Sequence, residues 1–320
     1  MVRDGVTYHA ISSLYPMYVN GRRSVSEAVM FGLATFKLLF ASFDVLDVDQ
    51  IPFIPLFSAR IVTWIRGKKM HATWHEVWSL NDWTQYTGPV LGRIAYAVER
   101  WALFLPDVII SNSSHTTKRL TESGVKTRIV EVPLGVDIDA IAAIEPAPTR
   151  SDVVFVGRLV EHKHVDTLVE ALSIVKKTYA AISCVIIGDG PEREALEYSI
   201  RAYSLTDNVR IVSNLESCAL YSLMKASRML VLPSTREGFG LTVLEAHAAG
   251  LPVITTRHNN NAAKDLIVEG VNGFLVEPNP QMIADTIVRV LELGESMKPR
   301  AHIDAFDWRF VLQRLEVAFS

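Results

Sequence analysis

The chain has 320 residues, of which 49% are hydrophobic and 21% are charged, a composition that supports a large core in about two domains and excludes a disordered, collagen-like or coiled-coil protein. Lysine and arginine number 32 and the acidic residues 35, for a net charge of −3. No overall positive field would therefore attract nucleic acid or an anionic membrane, so any anionic ligand must be bound by local groups.

Short β-branched runs alternate with segments of helical periodicity along the whole chain, a pattern typical of parallel sheets built from strand–helix–strand units. The sequence thus predicts an α/β fold. In the first half, strands are predicted at 6–11, 45–48, 70–74, 108–111 and 128–132, with helices near 25–41, 92–104 and 114–123. In the second half, strands are predicted at 152–156, 182–187, 209–212, 229–232, 252–255 and 273–276, with helices between them and two more after Pro280.

The segment 145–150 separates the two halves. It reads Glu-Pro-Ala-Pro-Thr-Arg, and its prolines fit neither a helix interior nor a central strand. We predict a first domain over residues 1–145, a second domain over residues 146–300 and a C-terminal helix over residues 301–320.

Two features of the sequence bear on where the protein is found. Cys184 and Cys218 are its two cysteines, and neither lies in a Cys-x-x-Cys or Cys/His cluster, which excludes a disulfide scaffold or a thiolate zinc site. The first residues are polar where a signal peptide would be apolar, and the amphipathic stretch 31–43 is too short to span a bilayer. We therefore predict a cytoplasmic location, soluble or at most peripheral at the inner face of the membrane.

A glycine-containing turn after the strand at 229–232 carries the strongest chemical signal. The turn Glu237-Gly-Phe-Gly240 leads into a helix that contains Glu245. Such a turn offers unpaired backbone N–H groups beside the positive end of a helix dipole, which favours phosphate binding. Each carboxylate can accept two hydrogen bonds from ribose or sugar hydroxyls. The alternative is a tight turn with two solvated glutamates.

Two other predicted strand ends carry similar features. The strand at 152–156 is followed by Gly157, Arg158 and, five positions further on, Lys163, and the strand at 182–187 is followed by Gly188-Asp-Gly-Pro191. Open α/β sheets bind ligands at the carboxyl ends of their strands. We therefore expect the three strand ends to meet around one ligand, whose diphosphate Arg158 and Lys163 neutralise, although cations of this kind are usually surface residues.

Together these segments resemble the retaining glycosyltransferases of family 4, whose signature is a Glu-x7-Glu pair around a Gly-Phe-Gly turn, preceded by Gly-Arg-Leu and a lysine. The resemblance covers most of the chain, and the matching residues are Gly157, Arg158, Leu159, Lys163, Glu237 and Glu245. Milder matches are the segments 135–137, 188–191, 272–276 and 306–308. The resemblance implies the GT-B fold, in which two Rossmann-like domains face a cleft, with the C-terminal helix crossing back onto the first domain.

The resemblance also implies a reaction. A hexose would pass from a UDP- or GDP-linked sugar to a hydroxyl of a glycan, lipid or small molecule, with retention at the anomeric carbon. The implied donor-binding residues are Gly157, Arg158, Lys163, Gly188, Glu237, Gly238, Phe239, Gly240, Leu241 and Glu245. Glu245 would hold the ribose, Glu237 the donor sugar, and Arg158 and Lys163 the diphosphate, so that neither a metal nor a cofactor is implied.

In the first domain, Thr73-Trp-His75-Glu76 resembles the strand end that carries the family's cleft-facing histidine. This implies a catalytic, sugar-contacting role for His75. The alternatives are a histidine satisfied at a strand end and metal binding by His71 with His75, for which no third ligand is evident nearby. The Asp-x-Asp strings at 47–49 and 137–139 are interpreted as caps or surface acids.

Seven aromatic residues fall between positions 74 and 104: Trp74, Trp78, Trp83, Tyr86, Tyr96, Trp101 and Phe104. They would pack in a core or form a surface that contacts the acceptor or lipid. Arg22, Arg23, Lys68 and Lys69 could add attraction to anionic lipid, so peripheral membrane contact remains among the predicted interactions.

One departure from the family pattern lies at the amino terminus. The family begins with a strand, a glycine-rich loop and a helix, and these do not precede Val6. We therefore expect an abbreviated first domain, because Met1 is not the native start or because the shortened sheet has re-paired. The alternative function is a non-catalytic relative that binds a nucleotide sugar and acts through a partner; a sugar-nucleotide epimerase fits the Gly-Phe-Gly and Glu-x7-Glu pattern less well.

Overall fold

The computed structural model describes residues 2–3, 5–12, 18–19 and 22–319. The chain divides into two compact units, one formed by Met1–Val132 with Arg314–Ser320 and the other by Pro133–Gln313. The predicted α/β class is confirmed, since each unit is built on a parallel sheet.

The first unit is built from strands β1–β4 and helices α1–α5. In chain order these are α1 (Val25–Thr35), β1 (Val45–Asp49), α2 (Ile54–Arg66), β2 (Lys69–Trp74), α3 (Leu80–Thr87), α4 (Pro89–Ala102), β3 (Val108–Ser111), α5 (Ser114–Glu122) and β4 (Arg128–Glu131). The four strands are parallel and neighbour one another in chain order. A 3-10 helix, Phe36–Phe40, extends α1.

Two of these helices, α2 and α3, were not predicted from the sequence. Helix α2 has Pro55 in its first turn, where a proline is tolerated because the backbone N–H there has no partner within the helix. Helix α3 begins with a capping box between Ser79 and Asp82. Both features are signals of a helix start.

The predicted strand at 6–11 is wrong. Only Val6–Thr7 is extended, and it pairs antiparallel with Val2–Arg3 rather than joining the parallel sheet. Residues 8–10 are exposed and have no regular structure. A second two-residue ladder joins Tyr18–Val19 to Arg22–Arg23, whose side chains lie outside the described residues.

The two faces of the first sheet differ in chemistry. Met70, Ala72 and Trp74 of β2 point into a core formed with buried residues of α2, α4 and α5. The alternate residues form a more polar face, in which the ring of Phe319 packs 4.9 Å from that of His71. Arg128 donates to the carbonyl oxygen of Val317 on the same C-terminal segment. Parallel sheets are normally covered on both faces. In this sheet the second face carries polar side chains and is covered in part by the C-terminal segment.

The second unit contains a larger sheet. In chain order its elements are α6 (Ile138–Ala143), β5 (Ser151–Val156), α7 (Val165–Val175), β6 (Cys184–Ile187), α8 (Arg193–Ala202), β7 (Val209–Val212), α9 (Ser217–Lys225), β8 (Ser227–Leu232), α10 (Leu241–Ala248), β9 (Val253–Thr256), β10 (Gly273–Val276), α11 (Pro280–Leu293) and α12 (Trp308–Phe319). The sheet order is β7-β6-β5-β8-β9-β10, which is the 3-2-1-4-5-6 order of a Rossmann sheet.

The division between the units lies before the predicted boundary at residue 145. Val136 and Ile141 are buried in the core of the second unit, and the N–H of Val136 donates to the carbonyl of Phe306. Helix α6, which Asp137 caps, therefore belongs to the second unit although it precedes the proline-rich segment. Helix α12 is divided, since the residues from Arg314 on belong to the first unit.

A buried carboxyl group holds the α3–α4 hairpin of the first unit together. Glu99 has no exposed surface and accepts hydrogen bonds from the backbone N–H of Trp78 at 3.1 Å and the indole N–H of Trp83 at 2.6 Å. Burial raises the pKa of Glu99 to about 7, against the lowering effect of these two donors.

We expect Glu99→Gln to flatten the pH dependence of stability. The pKa of Glu99 is 4.5 without burial and about 7 in the folded chain, so the folded protein retains a proton that the unfolded chain has lost. Between these values the free energy of unfolding falls as pH rises, by about 3 kcal/mol in total. Comparing thermal melting of the wild type and the variant at about pH 5 and about pH 8 measures this term.

Glu122→Gln, on the exposed surface of α5, is the control and should keep the wild-type pH dependence. If Glu99→Gln lost as much stability between the two pH values as the wild type, the buried carboxyl group would not be the titrating group.

Candidate active site

Three loops meet at the carboxyl ends of β5, β6 and β7 in the second unit. The N–H of Gly157 donates to the carbonyl of Ile187 at 3.0 Å, and that of Gly188 donates to the carbonyl of Val212 at 2.8 Å. A side chain at position 188 would collide with the carbonyl oxygen of Gly157. Gly188 therefore allows the loops after β5 and β6, two of the three that the sequence predicts to lie together, to touch.

The loop after β8 is joined to the loop after β5. The N–H of Thr235 donates to the carbonyl of His162 at 3.0 Å, and the hydroxyl of Thr235 lies 3.0 Å from the Nε2 atom of His164. Burial, together with the charges of Arg236 and Lys163, lowers the pKa of His162 to about 3. His162 is therefore neutral at physiological pH and acts as a packing and hydrogen-bonding element between the two loops.

These links bring two of the predicted site residues into direct contact. The Nζ atom of Lys163 lies 2.6 Å from Oε1 of Glu237, and their side chains are 16% and 12% exposed. An ion pair at this degree of burial holds both groups in position because separating them would leave a poorly solvated charge. Arg158, on the same loop as Lys163, is exposed.

The turn that follows Glu237 presents the start of α10. Gly240 has a φ of 102° and is the N-cap of this helix, with no side-chain hydrogen bond to the cap. A side chain at position 240 would also collide with Ala263. Phe239 is buried, with its ring 6.1 Å from that of Phe306. The turn therefore leaves the first backbone N–H groups of α10 without a side-chain cap, as an anion site requires.

Glu245 is held by a residue that sequence reasoning missed. The hydroxyl of Tyr221, on α9, donates to Oε1 of Glu245 at 2.8 Å. Burial raises the pKa of Glu245, and this hydrogen bond opposes the shift. Nothing in the sequence links the two residues, because α9 and α10 are separated by β8 and come together only in the folded unit.

The segment 258–262 lies beside the turn. Asn260–Asn261 forms a two-residue parallel ladder with Arg236–Glu237, and the side-chain amide of Asn261 donates to the hydroxyl of Thr255 and the carbonyl of Thr256, both at 3.0 Å. Asn261 is fully buried. This network fixes the backbone on which Glu237 stands.

In the first unit, His75 follows β2 and is paired with an acid. Its Nε2 atom lies 2.9 Å from Oδ1 of Asp49. Asp49 is exposed, as expected for a surface acid. This hydrogen bond is the largest cause of a raised pKa of His75, which burial opposes. The side-chain oxygen of Gln50 accepts from the backbone N–H of His75. His75 is thus oriented by two residues that sequence reasoning did not place near it.

The two histidines that could have shared a metal have different surroundings. His71 is buried against Phe319, and burial lowers its pKa, whereas His75 is partly exposed beside Asp49. In the described part of the chain there is no cluster of three His, Cys, Asp or Glu residues that could hold a metal ion.

The aromatic residues between positions 74 and 104 divide between core and surface. Trp74 is fully buried, and Trp83 contacts both Trp78 and Tyr86, at ring distances of 4.6 Å and 6.4 Å. Trp101 and Phe104 are exposed. Core packing therefore accounts for the buried part of this cluster, and Trp101 and Phe104 lie on the surface of the unit.

The comparisons with known proteins assign the chain to a family. The family described as Glycosyl transferases group 1 matches residues 137–303, more than half of the chain, and Glycosyltransferase Family 4 matches residues 6–140. The chain belongs to the group 1, family 4 glycosyltransferases, as its motifs predict.

Curated relatives share about a third or less of their aligned residues with it. Glycogen synthase of Mycobacterium tuberculosis is 28% identical over 233 residues, which are 69% of this chain and 56% of that protein. The alpha-D-kanosaminyltransferase of Streptomyces kanamyceticus is 34% identical over 157 residues, 48% of this chain and 40% of that protein. The chain spans about half the length of the curated relatives that it matches.

Solved structures show the same fold. HepE of Anabaena, in complex with UDP, has a TM-score of 0.74 at 20% identity and covers 90% of this chain and 82% of its own. Sucrose-phosphate synthase of Thermosynechococcus elongatus has a TM-score of 0.74 at 22% identity, covering 91% and 77%. The predicted GT-B fold is thereby confirmed. Among residues 22–319 and the shorter described segments before them, no helix combines the length and apolarity needed to cross a membrane.

Proposed function

We propose that the chain is a retaining hexosyltransferase that binds a nucleotide sugar in the second unit. The observation that carries the proposal is the arrangement around the end of β8, where Lys163, Glu237 and the uncapped start of α10 lie together and Glu245 follows on the same helix. These groups offer a cation and amide donors for a diphosphate and carboxylates for sugar and ribose hydroxyls. HepE, of the same fold, was solved with UDP, which favours a UDP-linked donor.

The proposed reaction breaks the bond between the anomeric carbon and the diphosphate oxygen, whose electron pair leaves with the diphosphate. The acceptor oxygen forms its bond to the anomeric carbon on the same face of the sugar, and its proton passes to the departing diphosphate. Lys163 and Arg158 stabilise the charge on that leaving group, the role that a divalent ion has in other enzymes. We propose that the reaction needs no metal ion and no cofactor.

His75, in the first unit, has a separate proposed role, which is to contact the sugar. Its hydrogen bond to Asp49 fixes the ring orientation and places the proton on Nε2, between the two residues.

The proposed acceptor is a hydroxyl of a glycan, lipid or small molecule. The proposed location is the cytoplasm, because Cys184 and Cys218 are both free thiols and thiols stay reduced in that compartment.

Incubation of the chain with UDP-glucose, UDP-N-acetylglucosamine or GDP-mannose and a panel of sugar and lipid acceptors tests this proposal. We expect release of the nucleoside diphosphate and a product whose anomeric configuration, read by NMR, equals that of the donor. Glu237→Gln should abolish both signals. Binding without turnover would support the non-catalytic alternative, and donor isomerisation without acceptor would indicate an epimerase; either result would overturn the proposal.

Tyr221→Phe is expected to weaken donor binding about two- to tenfold with little change in kcat, because the variant loses only the hydrogen bond that orients Glu245. The structure gives that hydrogen bond a length of 2.8 Å. Steady-state kinetics with varied donor concentration measure both parameters. Tyr198→Phe, at an exposed tyrosine of α8, is the matched control and should leave both unchanged; a fall in kcat alone for Tyr221→Phe would contradict a positioning role.

A further inference from the structure

Helix α4 of the first unit presents an apolar stripe to solvent. Val90, Ile94, Trp101 and Phe104, at and just beyond the helix, recur at the three- to four-residue spacing of one helix face. All four are exposed, Trp101 to 69% and Phe104 to 58%. A stripe facing the core would be buried, so this one has no intramolecular partner among the described residues.

A second group of exposed apolar residues lies on α2 and the 3-10 helix before β1. Trp64 is 79% exposed, Phe40 is 92% exposed, and Ile65 is also exposed. Arg66 ties the two elements together, because its guanidinium donates to the carbonyls of Leu39 and Ala41. Phe40 therefore stands at the end of α2 that carries Trp64 and Ile65.

These two groups belong to one layer of the first unit. Leu56 and Ala59 of α2, and Ala102 of α4, pack into the same core against one face of the sheet. The outward sides of both helices therefore point away from that same face. Helix α5 contributes Leu120 to the same core, yet its exposed residues are polar, among them Lys118, Thr121 and Glu122. Of these three helices, α2 and α4 therefore expose large apolar side chains and α5 does not.

The charges around these residues are mainly positive, and two exposed acids nearby, Asp44 and Asp107, are paired with Lys68 and Arg60. Lys37, Arg66 and Arg93 are exposed, and the bonds shown for Lys37 and Arg66 go to uncharged backbone carbonyls. The acids of α1, α2 and α4 are Glu27 and Glu99; Glu27 is half-buried and Glu99 fully buried. No described acid of these helices is therefore exposed beside the cations.

We propose that this surface, the apolar face formed by Phe40, Trp64, Ile65, Ile94, Trp101 and Phe104, docks on an anionic phospholipid bilayer. Tryptophan favours the membrane–water interface, and an apolar helix face flanked by cations binds anionic lipid through both groups. A symmetric contact with a second copy would instead oppose the same cations of both copies. The proposal rests on the first unit alone and not on the transferase reaction.

Flotation with vesicles tests the proposal. The purified chain should float with phosphatidylcholine vesicles that contain phosphatidylglycerol and bind much less to phosphatidylcholine alone. The double variant Trp64→Ser/Trp101→Ser should lower vesicle binding at least about tenfold, because both rings lose their contact with the interface. Lys37→Glu/Arg93→Glu, at two exposed cations, should weaken binding to the anionic vesicles, and added salt should do the same for the wild type.

Two controls keep the outcomes distinct. Tyr198→Ser removes an exposed aromatic residue of the second unit and Lys118→Glu reverses an exposed charge of α5; both should bind vesicles as the wild type does. Thermal melting checks that each variant folds. The proposal is overturned by wild-type protein that does not bind anionic vesicles, by equal binding of the double tryptophan variant, or by sedimentation showing a dimer that this variant dissociates.

Discussion

Lys163→Ala is expected to lower the transfer rate about 10²- to 10³-fold while weakening donor binding much less, as found when one group that stabilises a leaving charge is removed. The ammonium group of Lys163 lies 2.6 Å from Glu237, beside the turn that leads to α10. Its charge acts most strongly when the diphosphate departs, since that is when negative charge on the leaving group is greatest. Single-turnover rates and calorimetric donor affinities separate the two effects.

Two further variants sharpen this test. Lys163→Arg keeps the charge and should retain more activity than Lys163→Ala, and Lys177→Ala, at an exposed lysine of the same unit, should behave as the wild type. Glu237→Gln combined with Lys163→Ala measures the coupling of the ion pair. Equal losses of affinity and rate in Lys163→Ala would mean that its charge contributes uniform binding.

Glu245→Ala is expected to weaken nucleotide-sugar binding by about 1–3 kcal/mol, the range for hydrogen bonds to a charged group. One oxygen of this carboxylate accepts from Tyr221, so the group is oriented before any ribose hydroxyl reaches it. Calorimetric titration of the wild type and the variant measures the difference, and unchanged affinity would contradict the ribose role.

The pH dependence of binding gives an independent check on Glu245. Because burial raises the pKa of this group, it becomes protonated at a higher pH than an exposed glutamate. Its capacity to accept two ribose hydrogen bonds is present above that pKa and is lost as pH falls through it. Wild-type affinity should therefore fall on acidification, and Glu245→Gln should show a flatter profile.

The sequence was most informative where chemistry is carried by neighbouring residues. Gly157, Arg158 and Lys163 follow one strand, and the turn from Glu237 to Gly240 follows another, so local pattern was sufficient to predict both loops. The β-branched runs predicted most strands of the second sheet for the same reason. The family assignment rested on these segments and is confirmed.

The contacts between distant segments were not predictable in this way. Tyr221 reaches Glu245 from another helix, and Asp49 reaches His75 from a neighbouring strand, so neither pair has a sequence spacing that reports it. The sequence predicted Lys163 and Glu237 as parts of one site but not their ion pair. The unit boundary was also misplaced, because the prolines at 146 and 148 mark a loop inside the second unit rather than its start.

Predictions from local sequence were also incomplete or wrong for two helices of the first unit and for its amino-terminal segment. Helices α2 and α3 were not predicted, although Pro55 and Ser79 lie at their starts. The β-branched residues after Val6 suggested a strand, yet most of that segment is exposed and unpaired in the sheet. Whether such a segment joins a sheet depends on the neighbouring strand that receives it, which the local pattern does not contain.

Calorimetric titration of the purified chain with UDP-, GDP- and ADP-sugars, in the presence of a metal chelator, tests the central claim most directly. We expect saturable binding of one nucleotide class without metal, and weaker binding of that class to Glu245→Ala. Absence of binding to all three classes, in a protein that melts cooperatively, would contradict a donor site formed by Arg158, Lys163, Glu237 and Glu245.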